Sequence, residues 1–230
     1  MIKRYSIGTP LATLRKRYNA IIPKKHRPNY NAGGKKALPI ITRDASQEFK
    51  LFNWGIVPSD SNDSKIGDKL LNARLETLKA KQPFCDLLNN RCLVPADAFY
   101  IWKDHDENNR PFRVVLPHNE TFSILGIFHE WGEENDVSII KTFATITCRS
   151  PEKIKKYQDR TPLIIPKHLE SDWLIGRNTD QVLEEAQKFT LAMNFEIYEV
   201  SGLINDEKNN NAKFIQNETH TLPGQTLSMF

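Results

Sequence analysis

Asn72-Ala73-Arg74-Leu75-Glu76-Thr77 places an amide, a guanidinium and a carboxylate directly after the apolar pair Leu70-Leu71. If Leu70 to Ala73 form a strand and a helix starts near Glu76, Asn72 and Arg74 share one face at the strand end. Such a face can hold a phosphate: Arg74 supplies a planar charged fork, and Asn72 offers both donor and acceptor to a sugar or base edge. The same three side chains could instead form a buried network that only ties a turn together. Other cations are grouped as Arg15-Lys16-Arg17, Lys24-Lys25-His26-Arg27 and Lys153 to Lys156. These runs are candidates for a surface that tracks a nucleic-acid backbone, although solvated helix faces produce similar runs.

Four further segments lie in order around that hexapeptide: Met1-Ile2-Lys3-Arg4-Tyr5, Trp54-Gly55-Ile56-Val57-Pro58, Asp97-Ala98-Phe99-Tyr100-Ile101-Trp102-Lys103 and Asp159-Arg160-Thr161-Pro162-Leu163-Ile164. Together the five runs resemble the SRAP family, the SOS-response-associated peptidase domain that handles abasic sites in single-stranded DNA. The likeness extends from Met1 to about Asn211. Val200-Ser201 and Ile204-Asn205 are similar to the family's closing Val-Ser-x-x-Val-Asn pattern.

The resemblance implies a reactive set that this chain lacks in part. In the family a cysteine, exposed by removal of the initiator methionine, closes a ring on the abasic aldehyde with its amine and thiol; here that position is Ile2. The family's glutamate falls at Ile101 and its histidine at Gln158, whereas Asn72, Arg74, Arg4 and Arg160 still match. A hydrocarbon cannot replace a thiolate nucleophile, and glutamine cannot carry a proton near neutral pH. The implied function is non-covalent binding of single-stranded DNA in a damage response, with abasic sites as the candidate lesion and the covalent and autoproteolytic steps lost. Arg4, Asn72, Arg74 and Arg160 are the expected contacts. Trp54 is a candidate wall for an unstacked base, with core packing as its other reading. One alternative is a lyase that uses the Met1 amine or Lys3 to form an imine with the aldehyde. Another is a protein- or peptide-interaction module built on the same pocket.

Composition sets the outer bounds. A chain of 230 residues with 39% hydrophobic content suffices for one sizeable core, and the expectation is one domain over 1–211 followed by a polar tail, 212–230. A net charge of +4 and a pI near 8.9 permit a nucleic-acid partner without requiring one. Cys85, Cys92 and Cys148 have neither disulfide-framework nor metal-site spacing, and the histidines are scattered. No metal and no cofactor are expected, and free thiols fit a reducing cytoplasm. No run is long and apolar enough for a membrane span, and the start is unlike a signal peptide.

The elements that would position these groups read as an α+β order with an antiparallel, barrel-like sheet and peripheral helices, an SRAP-like fold. Thr9 as N-cap with Pro10 behind it starts a basic helix to about Asn19. Asn29 to Gly34 reads as an irregular turn, and Ser59 to Gly67 as a polar loop. Strands are expected near 38–42, 50–54, 92–94, 99–102, 112–116, 122–125, 142–147 and 195–200. Helices are expected over Glu76 to Leu88 with an interruption at Pro83, from a Ser150-Pro151-Glu152 cap toward Gln158, and over 168–175 and 180–188.

Overall fold

A computed structural model describes residues 1–23, 26–61, 63–103, 109–131 and 139–217. Lys24 and Lys25 of the second basic cluster, Asn62 of the polar loop and positions 218–230 of the tail lie outside the described residues. The elements in chain order are β1 (Tyr5–Ile7), α1 (Leu11–Tyr18), β2 (Asn29–Ala32), β3 (Ala37–Thr42), β4 (Ala45–Trp54), β5 (Asn72–Arg74), β6 (Arg91–Ala96), β7 (Ala98–Trp102) and β8 (Pro111–Val115). There follow β9 (Phe122–Trp131), β10 (Ile140–Arg149), α2 (Glu152–Lys155), β11 (Arg160–Pro162), β12 (Ile164–Ile165), α3 (Glu170–Ile175), α4 (Thr179–Ala192) and β13 (Glu196–Glu199).

Five strands close on themselves. β3 pairs with β4 and β6, β6 with β9, β9 with β10, and β10 returns to β4. Closure removes the sheet edges, and β6 is buried on both faces rather than alternating cleanly, as in Cys92-Leu93-Val94-Pro95-Ala96, whereas β4 keeps Ser46, Gln47, Glu48 and Asn53 exposed. Gly126 shows how tight the ring is. A Cβ there would lie 2.8 Å from Cys92 Sγ and 3.0 Å from the Ala144 carbonyl oxygen, so the close approach of β6, β9 and β10 requires glycine.

The sheet is mixed rather than purely antiparallel as the strand pattern suggests: β4 and β5 both run parallel to β10. Hairpin signals reveal antiparallel neighbours, whereas parallel pairs join strands far apart in sequence and leave no local trace. A second sheet, in the order β13-β8-β7-β1-β2, is antiparallel throughout. The segment expected as an irregular turn from Asn29 supplies β2, because pairing with β1 satisfies its backbone. α3 and α4 pack on the barrel side, and the buried Trp173 of α3 donates from Nε1 to the Cys92 carbonyl at 3.0 Å.

Three local expectations fail for identifiable reasons. Glu76 to Leu88 is not a helix; a 3₁₀ turn at Leu75–Thr77 leads into successive turns such as Lys81 N to Thr77 O and Leu87 N to Phe84 O. Pro83 offers no N–H and disfavours helical backbone at Gln82, which divides a segment too short to spare a turn. Thr9 does not cap α1: its hydroxyl is engaged by Asp97 and Thr121, and the cap position falls on Pro10. Ser150 does not cap α2 either; its hydroxyl is buried without a partner among the described residues, and Pro151 precedes the helix. Packing continues beyond Asn211, since Phe214 and Ile215 rest on the cluster of Tyr100, Val200 and Ile204.

Candidate nucleic-acid interface

β10 is the element that assembles the site. Thr145 is in register with Asn72 and Thr147 with Arg74 on one side, and Arg149 with Arg160 on the other. Residues two apart on a strand share a face, so Arg74, Arg149 and Arg160 are gathered at one end of three adjacent strands. The N-terminal segment arrives from the second sheet: Tyr5 pairs with Phe99, and the Tyr100 N–H donates to the Arg4 carbonyl at 3.1 Å, which carries residues 1–4 past Trp102. Between the two sheets lies a cleft of about 1010 Å³, lined by Met1, Lys3, Arg4, Arg74, Trp102, Asn109, Arg149, Ser150, Glu152, Lys155, Gln158, Asp159, Arg160, Leu191 and Asn205.

Its electrostatics are cationic. Arg74, Arg149 and Lys3 have no carboxylate within salt-bridge range among the described residues, whereas Lys155 pairs with Glu152, Arg4 with Glu207 and Arg160 with Glu76. The Arg160 guanidinium is the most firmly held. Its two terminal nitrogens grip both oxygens of Glu76 at 2.8 and 2.9 Å, and Nη2 also donates to the Thr147 carbonyl at 2.5 Å. Partial burial alone would raise the Glu76 carboxyl, but hydrogen bonds from Arg160 and from backbone outweigh it and hold the carboxyl below its usual range. The hexapeptide thus combines both of its readings: Glu76 anchors a neighbouring arginine, while Arg74 is exposed at the cleft.

Asn72 is not at the surface. It is buried, donating from Nδ2 to the Ile2 carbonyl at 2.7 Å and accepting from the Thr145 hydroxyl at 2.9 Å. It therefore fixes the start of the chain against β10. Trp54 is also closed off, 1% exposed, with its ring edge-on to Tyr5 at 5.1 Å, stacked on Phe143 and its Nε1 donating to the Leu71 carbonyl. It cannot serve as a wall for a base. The aromatic that does line the cleft is Trp102, held by a 2.8 Å bond from its Nε1 to Asn205 Oδ1. Arg149, absent from the sequence reading, could have been found by extending the expected 142–147 strand by two residues, since the alternation that exposes Thr145 and Thr147 to β5 continues to position 149.

Ile2 is 1% exposed and Ile101 fully buried, both in the main apolar core. Gln158 lies at the cleft wall and donates from Nε2 to the Arg160 carbonyl at 2.5 Å. The thiols are not poised for attack. Burial pushes Cys148, beneath the arginines, up to about 12 and Cys92 far upward; for Cys85 desolvation and the neighbouring Asp86 also raise it. Iodoacetamide at pH 7.5 is therefore expected to modify the partly exposed Cys85 slowly and to spare Cys92 and Cys148 until the protein is unfolded in urea, as read by intact mass and peptide mapping. Rapid labelling of Cys148 in the native state would contradict this placement. Among the described residues no cluster of His, Cys, Asp and Glu could hold a metal ion, and no helix is long and apolar enough to cross a membrane.

Comparison with known proteins agrees with this architecture. The sequence profile of SRAP, SOS response associated peptidase, matches residues 1–207. The abasic site processing protein YoaM of Bacillus subtilis (strain 168) is 34% identical over 202 residues, covering 85% of this chain and 88% of that one; YoqW of the same strain is 34% identical over 196 residues, covering 84% and 87%. The abasic site processing protein HMCES of Gallus gallus is 25% identical over 221 residues, covering 80% of this chain and 65% of that one. A crystal structure of a protein from Bacteroides thetaiotaomicron superimposes with a TM-score of 0.78 at 20% identity, covering 93% of this chain and 98% of that one, which shows the same fold. With the profile spanning nearly the whole chain and relatives matched over most of their length, the chain belongs to the SRAP family.

Proposed function

We propose that this protein recognises abasic sites in single-stranded DNA through the cationic cleft and holds them without a covalent bond. The observation that carries the reading is the convergence of Arg74, Arg149 and Lys3, none of them paired with a carboxylate among the described residues, beside the apolar surfaces of Trp102, Leu191 and Met1. Unpaired guanidinium and ammonium groups suit phosphodiesters, and an aromatic beside them suits an unstacked base, which a duplex does not offer. The relatives named for abasic site processing supply the lesion.

The covalent step is a different matter. Ring closure on an aldehyde by a cysteine amine and thiol forms a C–N and a C–S bond and releases water, and this chain presents Ile2 where the resemblance places that cysteine. Ile101 and Gln158 occupy the acid and histidine positions. Replacement of a nucleophile and its acid by two isoleucines packed in one core supports loss of the reaction as a unit, because a lone carboxylate beside an isoleucine would be an unpaired buried charge. Lys3 keeps a second reading open by lining the cleft: its amine could condense with the aldehyde to an imine, which borohydride would reduce to a stable adduct.

Titration with single-stranded, duplex and abasic oligonucleotides tests the proposal. Single strands are expected to bind more tightly than duplex, with log affinity falling by about 0.7 per phosphate contact for each unit of log salt. Arg74→Ala should weaken single-strand binding about tenfold across sequences and reduce that slope by about 0.7. A slope unchanged by the substitution would remove Arg74 from the interface, and failure to bind any oligonucleotide at low salt would favour a peptide-binding module instead.

A further inference from the structure

Two of the arginines that line the cleft, Arg4 and Arg160, are occupied by internal carboxylates, but not in the same way. Arg160 spends its terminal donors on both oxygens of Glu76 and on the Thr147 carbonyl. Arg4 makes one carboxylate contact, from Nη1 to Glu207 Oε1 at 2.5 Å, together with a 3.2 Å bond to the carbonyl of its neighbour Lys3; the buried Nε of both arginines is without a partner among the described residues. The Glu207 side chain is 46% exposed, against 14% for Arg4. A half-exposed carboxylate held through one oxygen is easily exchanged, whereas a two-point grip with a third backbone bond is not.

We propose that Glu207 is an internal stand-in for a DNA phosphate, occupying Arg4 in the free protein and yielding it to a phosphodiester when a strand enters. The proposal rests on the DNA-binding reading and adds to it which arginine is exchangeable and what competes for it. The backbone around Glu207 need not move. The Asn31 amide donates to the carbonyls of Ile204, Asp206 and Asn209 at 2.9 to 3.0 Å, and Lys36 Nζ donates to the Glu207 carbonyl at 2.9 Å. Exchange is therefore a side-chain rotation over a pinned loop. The Lys36 ammonium, already close enough to be influenced by Glu207, gives the displaced carboxylate a second cation. Gly33 preserves the pair: a Cβ there would lie 2.8 Å from Glu207 Cδ and Oε1 and 2.9 Å from Arg4 Nη1, so a larger residue would press on the flexible ends of both side chains.

The signature lies in the salt dependence. When phosphate replaces Glu207, the wild type must first break the Arg4–Glu207 pair, a cost that is largest at low salt and fades as salt screens the pair, so Arg4 contributes less to the slope of the wild type. Glu207→Gln leaves Arg4 a full cation before binding. Single-strand affinity is then expected to rise about fivefold at low salt and the slope to steepen by about 0.7. Gly33→Ala, which wedges the pair apart without touching charge, should raise affinity in the same direction. Asp44→Asn, which removes an equal charge from the Lys50 pair outside the cleft, should change neither quantity. Each variant is measured by fluorescence anisotropy with a labelled single strand across a salt series, after a thermal melt confirms folding. Wild-type binding with a Glu207→Gln slope equal to that of wild type overturns the exchange while leaving the DNA reading intact. No binding by the wild-type chain overturns the DNA reading and the exchange together.

Discussion

Asp97→Ala is expected to lower the unfolding free energy by about 3 to 5 kcal/mol, because it strands a buried guanidinium. Asp97 and Arg113 are both buried, with Arg113 Nη2 donating to Asp97 Oδ1 at 3.1 Å. The same carboxylate accepts from the Ser6 hydroxyl, from the Gly8 and Thr9 amides at 2.6 and 2.8 Å, and from the Thr9 hydroxyl at 3.0 Å. Deletion leaves those donors unsatisfied as well as the charge unpaired, so the cost exceeds that of a single hydrogen bond. The pair also ties the C-terminal end of β1 to the start of β7, the strand pair whose opposite end carries residues 1–4 into the cleft, so single-strand binding should weaken in parallel. Urea unfolding read by tryptophan fluorescence measures the loss. Asp97→Leu combined with Arg113→Met should recover part of it, since removing both charges ends the desolvation problem that removing one creates. A single variant within 1 kcal/mol of wild type would mean that water or another anion already satisfies Arg113.

Ile101→Glu should be nearly as damaging alone, and its damage should depend on pH. Position 101 is fully buried, so a carboxyl there would have its pKa raised above the unfolded value of about 4.3. With the folded pKa raised, the variant is least destabilised below the unfolded pKa, and stability is lost as pH rises until the folded pKa is passed. At neutral pH the loss should reach about 3 kcal/mol or more. Combined with Ile2→Cys, Lys3→Gly and Gln158→His, the change restores the group types that the resemblance implies, and a quadruple variant that folds is expected to capture abasic single strands covalently to a measurable extent. Well-oriented groups reach effective molarities on the order of 10⁵ M, so a cleft that still positions the sugar would reveal itself even with imperfect acid and base partners. A quadruple variant that is folded, carries a free N-terminal cysteine by mass spectrometry, binds DNA and forms no adduct would mean that the cleft presents the sugar differently.

The parts of this account legible in the sequence are those in which local chemistry and long-range structure agree. Apolar runs bounded by turn residues mark most strands, and the five ordered motifs lead to the family before any coordinate is known; the strand expected over Leu70 to Ala73 is displaced, since β5 takes Asn72–Arg74 and leaves Leu70 and Leu71 outside it. Asn72 shows where legibility ends. Its type suits a ligand, but only the register with Thr145 and the arrival of the Ile2 carbonyl reveal that its amide is already spent. Trp54 fails similarly, because a tryptophan at a strand end is a platform or a core anchor according to what packs on it, here Tyr5 and Phe143 from distant strands. The turns from Leu75 to Asn90 could have been anticipated by giving Pro83 more weight than the apolar spacing around it. Glu207 carries no local signal at all, since its partner lies at the other end of the chain.

Recognition of abasic DNA without covalent capture has two halves, and one experiment addresses both. The wild-type protein is incubated with an abasic single-stranded oligonucleotide, and the mixture is divided between a native gel and a denaturing gel. A retarded band on the native gel and free oligonucleotide alone on the denaturing gel are expected. A heat-stable, protease-sensitive band on the denaturing gel, formed without borohydride, would contradict this reading, because an unreduced imine at Lys3 would not survive denaturation.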